Sequence, residues 1–211
     1  MGNMNRRCVI IGGGDCIVDI LKNNISPDDF ILCADSGFDI ANEAGLHVDL
    51  LIGDFDSIKR IPENVSKITL PVEKDVTDCL AAFYEGVKLG FKSFVLFGGT
   101  GGRFEHTLAN ISLMANASKL GLTFEIIDEK HIFRSITNSL LIIKRKDNQQ
   151  VSVFAFGNIA SGVTLKGFHY PLNDYALDPF IGALGTSNDI INEYGEITVE
   201  SGTLIVIETQ V

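Results

Sequence analysis

Short apolar runs, each ending in glycine or aspartate and followed by a helix-like segment, constrain this chain more than any other feature. Residues 7–11 pass into Gly12-Gly13-Gly14, and 30–34 pass into Asp35-Ser36-Gly37. Residues 50–53 pass into Asp54-Phe55-Asp56-Ser57, and 94–97 into Gly98-Gly99-Thr100-Gly101-Gly102-Arg103. Runs this short, closed by turn residues, suit strands buried on both faces. Helices are expected near 15–21, 38–44, 80–87 and 104–120, with Gly45 and Gly90 as stops. Further strands are expected at 67–70 and 124–128. This β-α repetition predicts a mostly parallel sheet with helices on both faces.

The grammar changes near residue 130. Strand-like runs follow at 131–133, 139–143, 151–156, 163–165, 197–199 and 204–207, without helical spacing. Lys146-Asp147-Asn148, Gly157-Asn158, Ser161-Gly162 and Glu200-Ser201-Gly202 supply the turns. Many short strands at this spacing indicate a sandwich-like all-β domain. The expected division is therefore an α/β domain over 1–130 and a β domain over 131–211. A chain of 211 residues accommodates two small cores.

Charge narrows the function. Seventeen basic against 27 acidic residues give a net charge of −10. General nucleic-acid binding leans on phosphate neutralisation by Lys and Arg, so no nucleic-acid partner is expected. A nucleotide remains compatible, because a metal and a few backbone amides can hold one polyphosphate. The four cysteines, Cys8, Cys16, Cys33 and Cys79, form no C-x-x-C pair and read as free thiols. A reducing, cytoplasmic setting follows as the expectation. No apolar run is long enough to suggest a membrane span.

The chemistry concentrates at the strand ends. Asp54 and Asp56 point to one side if strand geometry persists. Two carboxylates so placed attract a hard cation, and Mg²⁺ is the natural one. The competing reading makes them turn or cap residues. Asp35 stands equally between a site and a helix N-cap. Asp75 and Asp78, three apart, share a face at a helix start, where acids also favour the dipole. Four glycines in five residues, Gly98, Gly99, Gly101 and Gly102 around Thr100, suggest a backbone shaped around a ligand. Their N–H groups suit phosphate, and Arg103 adds a forked cation. His106 and Asn110 lie on one face of the next helix. No Gly-Lys-Ser/Thr follows, so this is not a P-loop. The run Gly12-x-Gly14 has Ile17 where a dinucleotide fingerprint has its third glycine. In the second half, Tyr170 before Pro171 is either a packing residue or a platform for a flat cation.

Taken together, four motifs in order resemble the thiamine pyrophosphokinase family. They are Ala34-Asp35-Ser36-Gly37, Gly53-Asp54-Phe55-Asp56-Ser57, Lys74-Asp75-Val76-Thr77-Asp78, and Gly98-Gly99-Thr100-Gly101-Gly102-Arg103-x-x-His106. Gly167-x-x-Tyr170-Pro171-Leu172 and Thr186-Ser187-Asn188 resemble that family's thiamine-binding half. One departure is visible: the family usually has Arg-x-Asp-His, and here the acid is Glu105.

The resemblance implies an ATP-binding catalytic domain, a β-rich thiamine-binding domain and a homodimer with its active site at the subunit interface. It implies Mg²⁺-dependent transfer of a pyrophosphoryl group from ATP to the thiamine hydroxyl, releasing AMP. Catalytic roles fall on Asp54, Asp56, Asp75, Asp78 and Arg103. The metal falls to Asp54 and Asp56 with Asp78, and Asp78 is also a candidate proton acceptor. Nucleotide binding falls on Asp35, Gly98, Gly99, Thr100, Gly101, Gly102, Arg103, His106 and Asn110. Tyr170, Ser187 and Asn188 would seat thiamine. The alternatives are a pyrophosphokinase for another alcohol, such as a hydroxymethylpterin, and a haloacid-dehalogenase-like phosphatase with Asp54 as nucleophile.

Overall fold

The computed structural model describes residues 6–59, 63–71, 76–181 and 185–211. Two compact units emerge, Met1–Leu113 with Thr123–Glu129, and Met114–Leu122 with Lys130–Val211.

The first unit is built on six strands: β1 (Cys8–Ile11), β2 (Phe30–Ala34), β3 (Leu50–Gly53), β4 (Ser66–Thr69), β5 (Ser93–Phe97) and β6 (Thr123–Ile127). They pair in parallel in the order β4-β3-β2-β1-β5-β6. Every residue of β1 is buried, as a central parallel strand requires. Among the described residues four helices connect the strands: α1 (Val18–Asn24), α2 (Gly37–Glu43), α3 (Asp78–Lys88) and α4 (Phe104–Lys119). Without tryptophan, phenylalanines fill the core. Phe83 of α3 stacks on Phe124 at 5.5 Å between centroids and tilts against Phe94 at 4.8 Å.

Register places the chemistry. Ile11 pairs with Cys33 on one side and Phe97 on the other, so β2, β1 and β5 end level. The chain leaves β1 towards β2, β3 and β4, then returns through α3 to β5 on the opposite side of β1. That reversal between β1 and β5 is the switch point where open α/β sheets bind ligands.

The second unit contains two antiparallel sheets. One pairs β7 (His131–Thr137), β13 (Thr203–Gln210) and β9 (Gln149–Ala155). The other pairs β11 (Leu172–Leu177), β10 (Ala160–Lys166), β12 (Tyr194–Thr198) and β8 (Leu140–Lys144). In β9 burial alternates residue by residue, the pattern of a strand with one face inward. Val151, Val153 and Leu204 of the first sheet share one apolar core with Val163, Leu165 and Ile197 of the second. This is the sandwich expected over the C-terminal half.

Several local expectations shift. The helix after β1 starts at Val18 rather than near Asp15, because Asp15 N donates to Thr100 O at 3.1 Å and is held in the loop. Strand β11 was invisible to patterning: its residues Asn173 to Ala176 are all exposed, so nothing alternates. The segment containing Asp75 lies outside the described residues.

Candidate functional site

Strand geometry does not carry Asp54 and Asp56 to a common side. β3 stops at Gly53, and Phe55 takes the left-handed conformation at φ 66°. The kink nevertheless brings the carboxylates together, and Asp35 joins them. Oxygens of Asp35, Asp54 and Asp56 lie within 4.8 Å of one another. Asp35 also has positive φ, at 48°. Gly53 matters by its lack of a side chain, since a Cβ there would sit 3.1 Å from Asp35 Cα.

The cap reading of Asp35 gives way to another. Helix α2 has Ser36 as its N-cap and no side-chain cap bond. Asp35 Oδ2 instead accepts the Ser57 hydroxyl, while its buried Oδ1 has no hydrogen-bond partner among the described residues. The turn reading of Asp54 survives in part, because Asp54 Oδ1 accepts from Asp56 N at 3.2 Å. The Asp54 carboxylate pushes the Asp56 carboxyl above its usual range by repulsion, with smaller contributions from Asp35 and Asp78. An orphaned buried oxygen among mutually repelling carboxylates fits a hard divalent cation. Asp78 begins α3 behind the cap Thr77, whose hydroxyl accepts from Leu80 N at 3.2 Å. It acts on Asp56 through charge but stands outside the three-carboxylate group.

Beside this cluster is a cavity of about 310 Å³. Its walls come from the loops after β1, β2 and β5 and from the starts of α3 and α4. The first and last of these loops interlock: Gly12 N donates to Phe97 O at 2.8 Å and Gly14 N to Gly98 O at 2.9 Å. Approach this close needs bare backbones, since a Cβ on Gly14 would meet Thr100 O at 2.6 Å. Gly98, Gly101 and Gly102 all have left-handed φ, at 63°, 77° and 54°. Such a turn exposes successive N–H groups, a concavity suited to anions.

Sequence reasoning picked out Asp35, Asp78, Gly98, Gly99, Thr100, Gly101, Gly102, Arg103, His106 and Asn110, and all of them line this cavity. Asp15, Thr77 and Cys79 line it too, although sequence reasoning gave them no role at the site. Glu105 now has a visible partner. It accepts from Arg103 Nε at 2.6 Å, and that bond holds its carboxyl below the usual range. Both side chains are exposed, so the pair orients the guanidinium more than it stabilises the fold.

In the second unit, Tyr170 is 65% exposed, with the His169 ring edge-on at 4.6 Å. Asn188 is buried. Its amide spans the Tyr170 backbone, accepting from Tyr170 N at 3.0 Å and donating to Tyr170 O at 2.8 Å. Ser187, at φ 53°, is tied through its N–H to Ser152 Oγ at 3.0 Å. Of these three, Tyr170 presents an exposed ring and Asn188 acts on the loop that carries it.

Fold and site together define an α/β enzyme domain, with carboxylates and a glycine loop at one switch point, followed by a β-sandwich. The chain belongs to the thiamin pyrophosphokinase family: the family's catalytic domain matches residues 21–126 and its vitamin B1 binding domain residues 137–204. It is an enzyme of this kind. The thiamine pyrophosphokinase of Bacillus subtilis (strain 168) is 27% identical over 209 residues, covering 95% of this chain and 97% of that protein. The crystal structure of the Bacillus subtilis enzyme superposes with a TM-score of 0.88 at 24% identity, covering 98% of this chain and 100% of that one. Yeast thiamin pyrophosphokinase superposes at 0.79 with 12% identity, covering 99% of this chain and 87% of that one. Membership sets aside the pterin and phosphatase alternatives. Among the described residues no helix is long and apolar enough to cross a membrane.

Proposed function

We propose that the chain transfers the pyrophosphoryl group of ATP to the hydroxyl of thiamine, giving thiamine diphosphate and AMP, with Mg²⁺. The observation that carries this reading is the meeting of Asp35 and the 98–102 loop in one cavity. Carboxylates for a cation and amides for an anion then serve one polyphosphate. Asp35, Asp54 and Asp56 would hold Mg²⁺, which would neutralise polyphosphate charge when bound.

The chain's own residues do the rest. The N–H groups of the glycine loop and the Arg103 guanidinium bind phosphate oxygens and favour charge on the transferred group. Glu105 orients Arg103 through its Nε. The thiamine hydroxyl oxygen attacks the β-phosphorus, and the bond from that phosphorus to the α,β-bridging oxygen breaks. Asp78, at the cavity wall, accepts the hydroxyl proton. Asp75 belongs to the same motif and shares the acidic role. Tyr170 offers its ring face to the cationic thiamine, Asn188 shapes the loop that carries it, and Ser187 helps to seat the substrate.

The reading includes a cytoplasmic homodimer whose active site is completed at the subunit interface. The supports for its compartment are the free cysteines and the lack of any long apolar helix among the described residues. Light scattering on the purified protein tests the dimer. The reaction is tested by incubating protein with Mg²⁺, ATP and thiamine and identifying the nucleotide released. Thiamine-dependent AMP is the expected product. ADP, or phosphate without thiamine dependence, would sink the proposal.

A further inference from the structure

In the loop after β5 the carbonyls of Gly98, Gly99 and Thr100 are all occupied. Gly98 O accepts from Gly14 N at 2.9 Å and Thr100 O from Asp15 N at 3.1 Å. Between them, Gly99 O accepts from Asn110 Nδ2 at 2.8 Å. Three consecutive carbonyls are thus held by three separate donors. No peptide here is cis, and in a trans peptide the N–H points opposite to the C=O. The N–H groups of Gly99, Thr100 and Gly101 are therefore turned away from those donors. Among the described residues none of the three has an acceptor. Thr100 is only 8% exposed, and a backbone donor left unpaired in such a place is costly. A ligand oxygen relieves that cost.

Two side chains enforce the arrangement. Asn110 is buried within α4, where an unbonded amide would be unfavourable, and it is bonded to the loop. Asp128, directly after β6, accepts the Thr100 hydroxyl at 3.0 Å and fixes that residue from a different element. Loop backbone is otherwise soft, and four glycines make it softer. Preorganised donors act on developing charge without reorganising at the moment of reaction.

We infer that Asn110 and Asp128 are positioning residues that lock the 98–101 backbone with the N–H groups of Gly99, Thr100 and Gly101 presented to a polyphosphate. Asn110 acts through the Gly99 carbonyl and Asp128 through the Thr100 hydroxyl. This rests on the reading that the cavity takes the nucleotide's phosphates.

The test is calorimetric binding of a non-hydrolysable ATP analogue, with Mg²⁺, to the full chain. Thiamine KM and the thermal transition are followed in parallel. Asn110→Asp keeps the shape but loses the donor, and should weaken analogue binding ~10-fold with thiamine KM unchanged. Asp128→Ala should weaken it several-fold, and Asp128→Asn, which keeps an acceptor oxygen, should restore most of the loss. Wild-type affinity in both Asn110→Asp and Asp128→Ala overturns the inference, as does an equal rise in KM for both substrates. Should Asn110→Asp fail to fold, the Asp128 pair decides alone. If the wild-type chain itself binds no analogue, the nucleotide reading fails and this inference with it. Analogue binding by the wild type with unaffected variants removes only the positioning roles.

Discussion

Ser57 donates its hydroxyl to Asp35 Oδ2, and this bond ties the loop after β3 to the end of β2. It occupies one oxygen of Asp35, the residue whose carboxylate groups with those of Asp54 and Asp56. A hydrogen bond to a charged group contributes about 1.5–3 kcal/mol. Ser57→Ala should therefore raise the Mg²⁺ concentration for half-maximal activity about tenfold or more, while Ser57→Thr should not. A magnesium titration at saturating ATP and thiamine checks this. Identical curves for Ser57→Ala and wild type would show that the bond does not orient Asp35.

Asp54→Asn and Asp56→Asn each remove one charge from the proposed cation site. Even outer partners of metal ligands cost about 10–100-fold on mutation, so the ligands themselves should cost at least the upper figure. Steady-state turnover at high Mg²⁺ is the measurement. Near wild-type rates in either variant would remove that residue from the metal.

Tyr170 predicts a different kinetic signature. A cation–π contact contributes about 0.5–1 kcal/mol when exposed and about 2 kcal/mol when desolvated by the bound ligand. Tyr170→Ala should raise the thiamine KM by up to ~30-fold and leave the ATP KM alone. Tyr170→Phe should stay close to wild type. An unchanged thiamine KM in the alanine variant would exclude the ring from the site.

The cysteines should differ sharply towards alkylation. Burial pushes the thiols of Cys8 and Cys79 up to about 12 and raises Cys33 as well. A raised thiol pKa means less thiolate at any working pH, roughly one part in ten thousand at pH 8. Iodoacetamide on the folded protein at pH 8 should therefore label Cys16 first, whose thiol is raised but less enclosed. Peptide mass mapping reads the order. Labelling of Cys79, which lines the cavity, as fast as Cys16 would show that its thiol is not held up as its surroundings imply.

Phe83 joins α3 to β5 and β6 through two ring contacts and is fully buried. Phe83→Ala should cost about 3–5 kcal/mol of stability. Urea denaturation checks it, and a loss under about 1 kcal/mol would mean the core closes over the gap.

How far the chain could be read in advance depended on the kind of signal. Central strands such as β1 and β2 announce themselves as apolar runs because both of their faces are covered. Strand β11 did not, since four of its six residues face solvent and carry no period. Glycine loops were legible because close backbone approach leaves few other residues possible, as at Gly14 against Thr100 O. Asp54 and Asp56 were legible as a pair, but for the wrong geometric reason. A left-handed Phe55, rather than continued strand, brings them together.

The β-α repetition of the first half, the change of grammar near residue 130 and the types of residue at the strand ends were determined by the sequence alone. These are local properties, written in periodicity and turn chemistry. Only the tertiary structure decided that Asp35 completes the carboxylate group of Asp54 and Asp56. It alone showed that Glu105 holds Arg103, that Asn188 serves Tyr170, and that Asn110 and Asp128 hold the glycine loop. The physical reason is that each of these functions depends on which atom faces which partner. For Asp35 and Asp128 the partners lie on different strands, and parallel register rather than nearness in sequence sets their distance.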